Sequence, residues 1–139
     1  AEVEQKLRET EEHTKGNTAM TMVVALSYSA RWEIVQAMRN ILIENTDKPL
    51  QPTNITEEMI SHHLETNFMP DPELLIRTGG ELRISNYLLW QIAYSELYFC
   101  DTYWPDFSED DLQKAIQSYQ NRQRRFGKTE AQVEAEVTK

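Results

Sequence analysis

Polar and apolar positions divide the chain into short segments with different periods. Residues 2–14 are charged, with Val3 and Leu7 on one side, which predicts an exposed helix that stops before the terminators Gly16 and Asn17. Residues 21–26 form a short, partly β-branched apolar run. Its hydrophobicity is continuous rather than alternating, which predicts a buried strand of a parallel sheet. Ser29 is placed to cap a second helix, in which Ile34, Val35, Met38, Ile41 and Leu42 recur at helical spacing until near Asn45.

A loop follows at residues 48–53, with Pro49 and Pro52. Thr56 then caps a short helix, with Glu57 and Glu58 in its favourable first turn. Residues 74–76 predict a second buried strand. Ser85 and Asn86 are N-cap candidates for an apolar, buried helix through Leu88, Leu89, Ile92 and Ala93. Residues 97–99 read as a further strand, and Trp104-Pro105 as a turn. Ser108 and Asp111 form a capping box for a last helix carrying Leu112, Ala115, Ile116 and Tyr119. That helix runs out in Arg122, Arg124 and Arg125 before Gly127, and residues 128–139 form a polar tail. Strand and helix alternate, so the predicted fold is α/β, a mainly parallel sheet flanked by helices.

The net charge of −9, from 23 acidic and 14 basic residues among 139, argues against a nucleic-acid partner. It also makes the placement of cations informative. Between Gly16 and Gln113 the basic residues are Arg31, Arg39, Lys48, Arg77 and Arg83. Cys100 is the one cysteine, which excludes an intrachain disulfide and fits a reducing, cytoplasmic setting. Ala1 stands in helical sequence, and a longer parent chain is expected.

The stretch richest in chemistry is residues 74–86. A strand ends in Arg77 and is followed by Gly79, Gly80, Arg83 and Ser85, at the kind of strand end where ligands of open α/β sheets gather. Two guanidiniums, a hydroxyl and a helix N-terminus make a diphosphate cradle, and the glycines let the backbone approach the ligand. The alternative is surface pairing of the arginines with Asp71, Glu73 or Glu81. Glu96, among Tyr94, Leu97, Tyr98 and Phe99, needs a partner, either Mg²⁺ or an arginine. His13, His62 and His63 lack metal-ligand spacing. Tyr94, Tyr98, Phe99, Tyr103, Trp104 and Phe107 predict an aromatic core or interface.

The ordered string Ile76-Arg77-Thr78-Gly79-Gly80-Glu81, Arg83-Ile84-Ser85-Asn86, Leu89-Trp90-Gln91 and Glu96-Leu97-Tyr98-Phe99 before Trp104-Pro105 resembles the undecaprenyl diphosphate synthase family of cis-prenyltransferases. Gly16-Asn17-Thr18, Arg31 and Arg124-Arg125-Phe126-Gly127 extend the resemblance over nearly the whole chain. It implies that residues 1–127 are the C-terminal part of a single cis-prenyltransferase domain. It further implies condensation of isopentenyl diphosphate with an allylic diphosphate such as farnesyl diphosphate, giving a cis-polyprenyl diphosphate, a lipid carrier for cell-wall synthesis.

By the same resemblance Arg77, Arg83 and Ser85 bind isopentenyl diphosphate, Ile84 adds a backbone contact and Glu96 ligates Mg²⁺. Arg125 and Gly127 reach the neighbouring subunit of a homodimer, and contact with a membrane is peripheral, through the lipid product. Three departures stand out. Ser27-Tyr28-Ser29-Ala30-Arg31 replaces the frequent Asn-Tyr-Gly-Gly-Arg, and Leu82 stands where histidine is common. The family's Met-Asp-Gly-Asn-Gly-Arg motif, with its catalytic aspartate, is absent. The resemblance therefore implies an N-terminally truncated domain that is inactive alone. The alternative is a non-catalytic partner subunit, against which the retention of Arg77, Arg83, Ser85 and Glu96 argues.

Overall fold

The computed structural model describes residues 2–122. Helix α1 (Glu2–Thr14), helix α2 (Ala30–Glu44) and helix α3 (Glu57–His63) precede strand β1 (Leu74–Arg77). Strand β2 (Glu96–Phe99) and helix α4 (Glu109–Gln120) follow. The two strands run parallel, from Leu74 opposite Glu96 to Arg77 opposite Phe99. A parallel pair cannot be closed by a tight turn, and residues 78–95 make the crossover. α2 packs against α3, and α4 packs on β2. The architecture is the predicted α/β one.

Local chemistry accounts for the helix starts. Ser29 Oγ accepts from the Trp32 N–H at 3.4 Å, and Thr56 Oγ1 from the Met59 N–H at 3.1 Å. Ser108 and Asp111 complete the reciprocal box: the Ser108 hydroxyl accepts from the Asp111 N–H at 3.4 Å, and the Asp111 carboxylate takes the Ser108 N–H at 3.1 Å. Each cap satisfies a donor that a helix leaves unpaired in its first turn. α2 ends at Asn45, whose N–H returns to the Ile41 carbonyl at 3.2 Å.

Three expectations are corrected. Residues 21–26 form no strand: Met22, Val23, Val24 and Leu26 are 49–74% exposed, and β1 and β2 make the one sheet among the described residues. A strand exists only against a partner, so the apolar run stays unpaired and open. Residues 85–93 form no helix, because Ser85, Asn86 and Leu88 have φ of 48°, 62° and 48°. Left-handed residues cannot propagate a right-handed helix. Leu88 and Ile92 are nonetheless buried, as predicted, whereas Ala93 is exposed. For the aromatic cluster the core alternative is corrected and the interface alternative is not, since Tyr94, Tyr103 and Trp104 are exposed and Trp104 stacks on Phe107.

The buried face of α2 also differs from its predicted stripe. Ala30, Glu33, Ala37 and Ile41 are buried, while Val35 and Leu42 are exposed. Glu33 is thus a carboxylate in the core. Its Oε1 accepts from the Thr66 N–H and hydroxyl, both at 2.9 Å, and its Oε2 from Gln91 Nε2 at 3.0 Å and from the Tyr28 hydroxyl. Burial pushes its carboxyl upward, but the bonds from Tyr28, Gln91 and Thr66 together outweigh burial and hold it below the usual carboxylate value. Tyr28 is pushed well above the ordinary phenol range, first by burial and then by its hydrogen bond to Glu33.

A carboxyl depressed in the folded state stabilises fully above its unfolded value of about 4.3 and loses that contribution as pH falls through the folded value. Urea unfolding of the intact protein is therefore expected to show an acid limb below about pH 4.3 that is shallower in Glu33→Gln. Glu33→Ala, which strands buried donors, is expected to cost about 3 kcal/mol at pH 7. An unchanged acid limb in Glu33→Gln would show that another group sets it.

Candidate anion site

β1 delivers Arg77 at its C-terminal end, and the backbone turns away immediately. The Gly79 N–H bonds the Thr102 carbonyl and the Gly80 N–H the Cys100 carbonyl, both at 2.9 Å, so the turn is tied to the end of β2. Both glycines have positive φ, 83° and 74°, and a Cβ on Gly80 would stand 3.3 Å from Asp101 Oδ1. Only glycine takes that conformation without strain.

The crossover then folds back over Arg77. Arg77 Nη1 donates to Ser85 Oγ at 2.8 Å and to the Arg83 carbonyl. Both contacts use one terminal nitrogen, so the fork edge made by Nη2 and Nε takes no part in them. That edge is the geometry that matches two phosphate oxygens. Arg83 emerges six residues further on, its side chain 65% exposed and paired with Glu81. The Ile84 carbonyl is occupied by the Tyr87 N–H at 3.1 Å.

Arg77, Arg83 and Ser85 are therefore brought together, with one cation buttressed and the other held by an exposed ion pair. The helix dipole expected at Ser85 is missing, because no helix starts there. The first-turn donors of α2 lie close by in the fold but are spent: Asn86 takes those of Ala30 and Arg31, and Ser29 that of Trp32. Among the described residues, positive charge at this site comes from guanidinium.

Glu96 stands apart from this group. It lies at the opposite end of the strand pair, three residues along the ladder, or about 10 Å. Its carboxylate accepts from Arg122 at 2.7 Å, the arginine partner left open by its surroundings in the sequence. Among the described residues no group of three or more His, Cys, Asp or Glu side chains forms a metal cage. An open hollow of about 390 Å³ lies between α2 and α3, near Glu44 and His63, away from the arginines. Arg125 and Gly127 lie outside the described residues.

Sequence reasoning missed Glu33 and the role of Asn86. Glu33 had a signal, since Ala30, Ala37 and Ile41 fall on its face of the helix. For Asn86 the signal was its residue type, asparagine being among the few that tolerate left-handed backbone.

Residues 1–127 match the family model described as "Putative undecaprenyl diphosphate synthase". The chain is 49% identical over 132 residues to an isoprenyl transferase of Porphyromonas gingivalis, covering 95% of this chain and 52% of that protein. It is 48% identical over 128 residues to the ditrans,polycis-undecaprenyl-diphosphate synthase ((2E,6E)-farnesyl-diphosphate specific) of Escherichia coli K12, covering 92% and 51%. It is also similar to the crystal structure of lavandulyl diphosphate synthase from Lavandula x intermedia in complex with dimethylallyl diphosphate. That similarity has a TM-score of 0.82 and 38% identity, over 90% of this chain and 54% of the other. The chain spans about half the length of the curated relatives it matches.

Replacing Gly80 by alanine tests the turn that aims Arg77. Strain at positive φ and the approach to Asp101 are expected to lower the unfolding free energy by about 1–2 kcal/mol. Leu82→Ala, at a 79% exposed position two residues away, is expected to change it by less than about 0.5 kcal/mol. Equal effects in chemical denaturation would contradict this account of the turn.

Proposed function

The chain belongs to the undecaprenyl diphosphate synthase family, and on that premise we propose that the intact protein elongates a cis-polyprenyl chain. It does so by condensing isopentenyl diphosphate with an allylic diphosphate such as farnesyl diphosphate. The single observation that carries the reading is Arg77 at the end of β1, held by Ser85, with its bidentate edge uncommitted among the described residues and Arg83 in the same loop. The site supplies charge neutralisation and orientation for a diphosphate. The catalytic aspartate belongs, in this reading, to the half of the relatives that this chain does not cover.

Arg77, Arg83 and Ser85 hold the diphosphate of isopentenyl diphosphate, with backbone support at Ile84. Mg²⁺ is commonly held by one or two carboxylates together with substrate phosphates and water. A single carboxylate therefore fits, and Glu96 is the proposed one, with Arg122 as its partner when no metal is bound. Bound there, Mg²⁺ would neutralise diphosphate charge. Because Glu96 lies at the far end of the ladder from Arg77, its carboxylate serves the anion site of a second copy in a homodimer, to which Arg125 and Gly127 would also contribute.

No helix among the described residues is long and apolar enough to cross a membrane. The proposed setting is the cytoplasm, with membrane contact through the lipid product, a carrier for cell-wall synthesis. A non-catalytic partner subunit is the weaker reading, because such a subunit has no use for a buttressed Arg77.

In the intact enzyme Arg83→Ala is expected to lower kcat/KM by roughly tenfold to a few hundredfold, mainly through KM for isopentenyl diphosphate. Glu96→Gln is expected to raise the Mg²⁺ concentration needed for half-maximal rate, and an unchanged magnesium titration would remove the metal role. Light scattering of the intact protein is expected to return the mass of a dimer, and a monomer would end the shared-site reading of Glu96.

A further inference from the structure

We infer that Asn86 is a positioning residue of the anion site, acting as a clamp that joins the first turn of α2 to the loop that carries Ser85. Its backbone carbonyl accepts from the Ala30 N–H at 3.1 Å, and its Oδ1 accepts from the Arg31 N–H at 3.0 Å. Its Nδ2 donates to Ser29 Oγ at 2.8 Å. One half-buried asparagine thus satisfies two donors that α2 leaves unpaired and grips the residue that caps it.

The clamp bears on the site through the chain itself. Ser85 and Asn86 are consecutive left-handed residues, with φ of 48° and 62°. Serine has no intrinsic preference for that region, so the loop needs external support to stay there. Three bonds to α2 hold Asn86, Asn86 holds the direction of the preceding peptide, and Ser85 then presents its hydroxyl to Arg77 at 2.8 Å. Without the clamp the loop relaxes, Ser85 Oγ leaves Arg77 and the guanidinium loses its fixed orientation. Asn86 is not itself required to touch the ligand.

This inference rests on the reading of Arg77 and Ser85 as a diphosphate site, and the experiment separates the two. Pyrophosphate binding to the intact protein is measured by calorimetry for wild type, Arg77→Ala, Ser85→Ala, Asn86→Gly and the Ser85→Ala/Asn86→Gly double variant. Glycine at 86 keeps the left-handed backbone and removes only the side-chain bonds. Asn86→Gly is expected to weaken pyrophosphate about tenfold, equivalent to about 1.4 kcal/mol. It is also expected to raise KM for isopentenyl diphosphate by a similar factor, with kcat within about twofold. In the Ser85→Ala background the same change is expected to add less than about twofold, because it acts through Ser85.

If Asn86→Gly lowers the melting temperature but leaves affinity and KM unchanged, Asn86 is structural only and the inference falls. Full additivity with Ser85→Ala would also overturn it. If wild type does not bind pyrophosphate, or Arg77→Ala and Ser85→Ala leave its affinity unchanged, the diphosphate reading itself fails. Should Asn86→Gly not fold, Ser29→Ala removes the Nδ2 contact from the other side, and its pyrophosphate affinity decides by the same criteria.

Discussion

A charged carboxylate inside the molecule holds three segments together. Glu33 lies on α2, and its partners come from the turn before that helix, from the segment after α3 and from the crossover between the strands. Taking an isolated carboxylate out of water costs several kcal/mol, so burial is tolerable only with a full set of donors. Glu33 has four, supplied by Tyr28, Thr66 and Gln91, and Gln91 Nε2 also donates to Thr66 Oγ1 at 2.5 Å. The requirement is mutual: an apolar residue of the same size would strand the donors, and apolar donors would strand the charge. The Gln91 side chain marks the limit of the match, because its Nε2 serves Glu33 while its Oε1 is buried with no partner among the described residues.

This constraint explains how a crossover without a helix keeps its shape. Parallel strands are usually joined by a helix whose backbone satisfies its own polar groups. Residues 78–95 depend on outside partners. Gln91 is tied to Glu33, the Trp90 indole N–H donates to Ser61 on α3 at 2.8 Å, and Asn86 meets the start of α2. These three side-chain contacts run to α2 with its cap and to α3, beside the glycine bonds to the end of β2. The anion-facing loop thus takes its order from α2 and α3 as well as from Arg77 and the end of β2.

What could be read in the sequence divides along the same line. Ser29, Thr56 and Ser108 were legible because a cap is decided within four residues. β1 and β2 were legible because apolar runs bounded by turn signals describe them without reference to the rest of the chain. The run at residues 21–26 has the same local signature, but pairing is a property of two segments and not of one. The helix expected at residues 85–93 failed for a related reason, since contacts with α2 override the helical spacing of Leu88, Leu89 and Ile92. Within the site, Arg77 and Ser85 were brought together as their order implied. The distance of Glu96 became visible only once the register of the strands was known.

The bonds that shape the crossover join residues 55 to 58 positions apart, between Asn86 and Arg31, Asn86 and Ser29, and Gln91 and Glu33. Closing loops of that length costs chain entropy before any of these bonds can repay it. The left-handed geometry at Ser85 and Asn86 is therefore not a property of the peptide that contains it. A synthetic peptide of residues 74–99 would carry every arginine and hydroxyl of the motif and none of its shape. Transplanting the recognition loop into another scaffold would require carrying the first turn of α2 along with it.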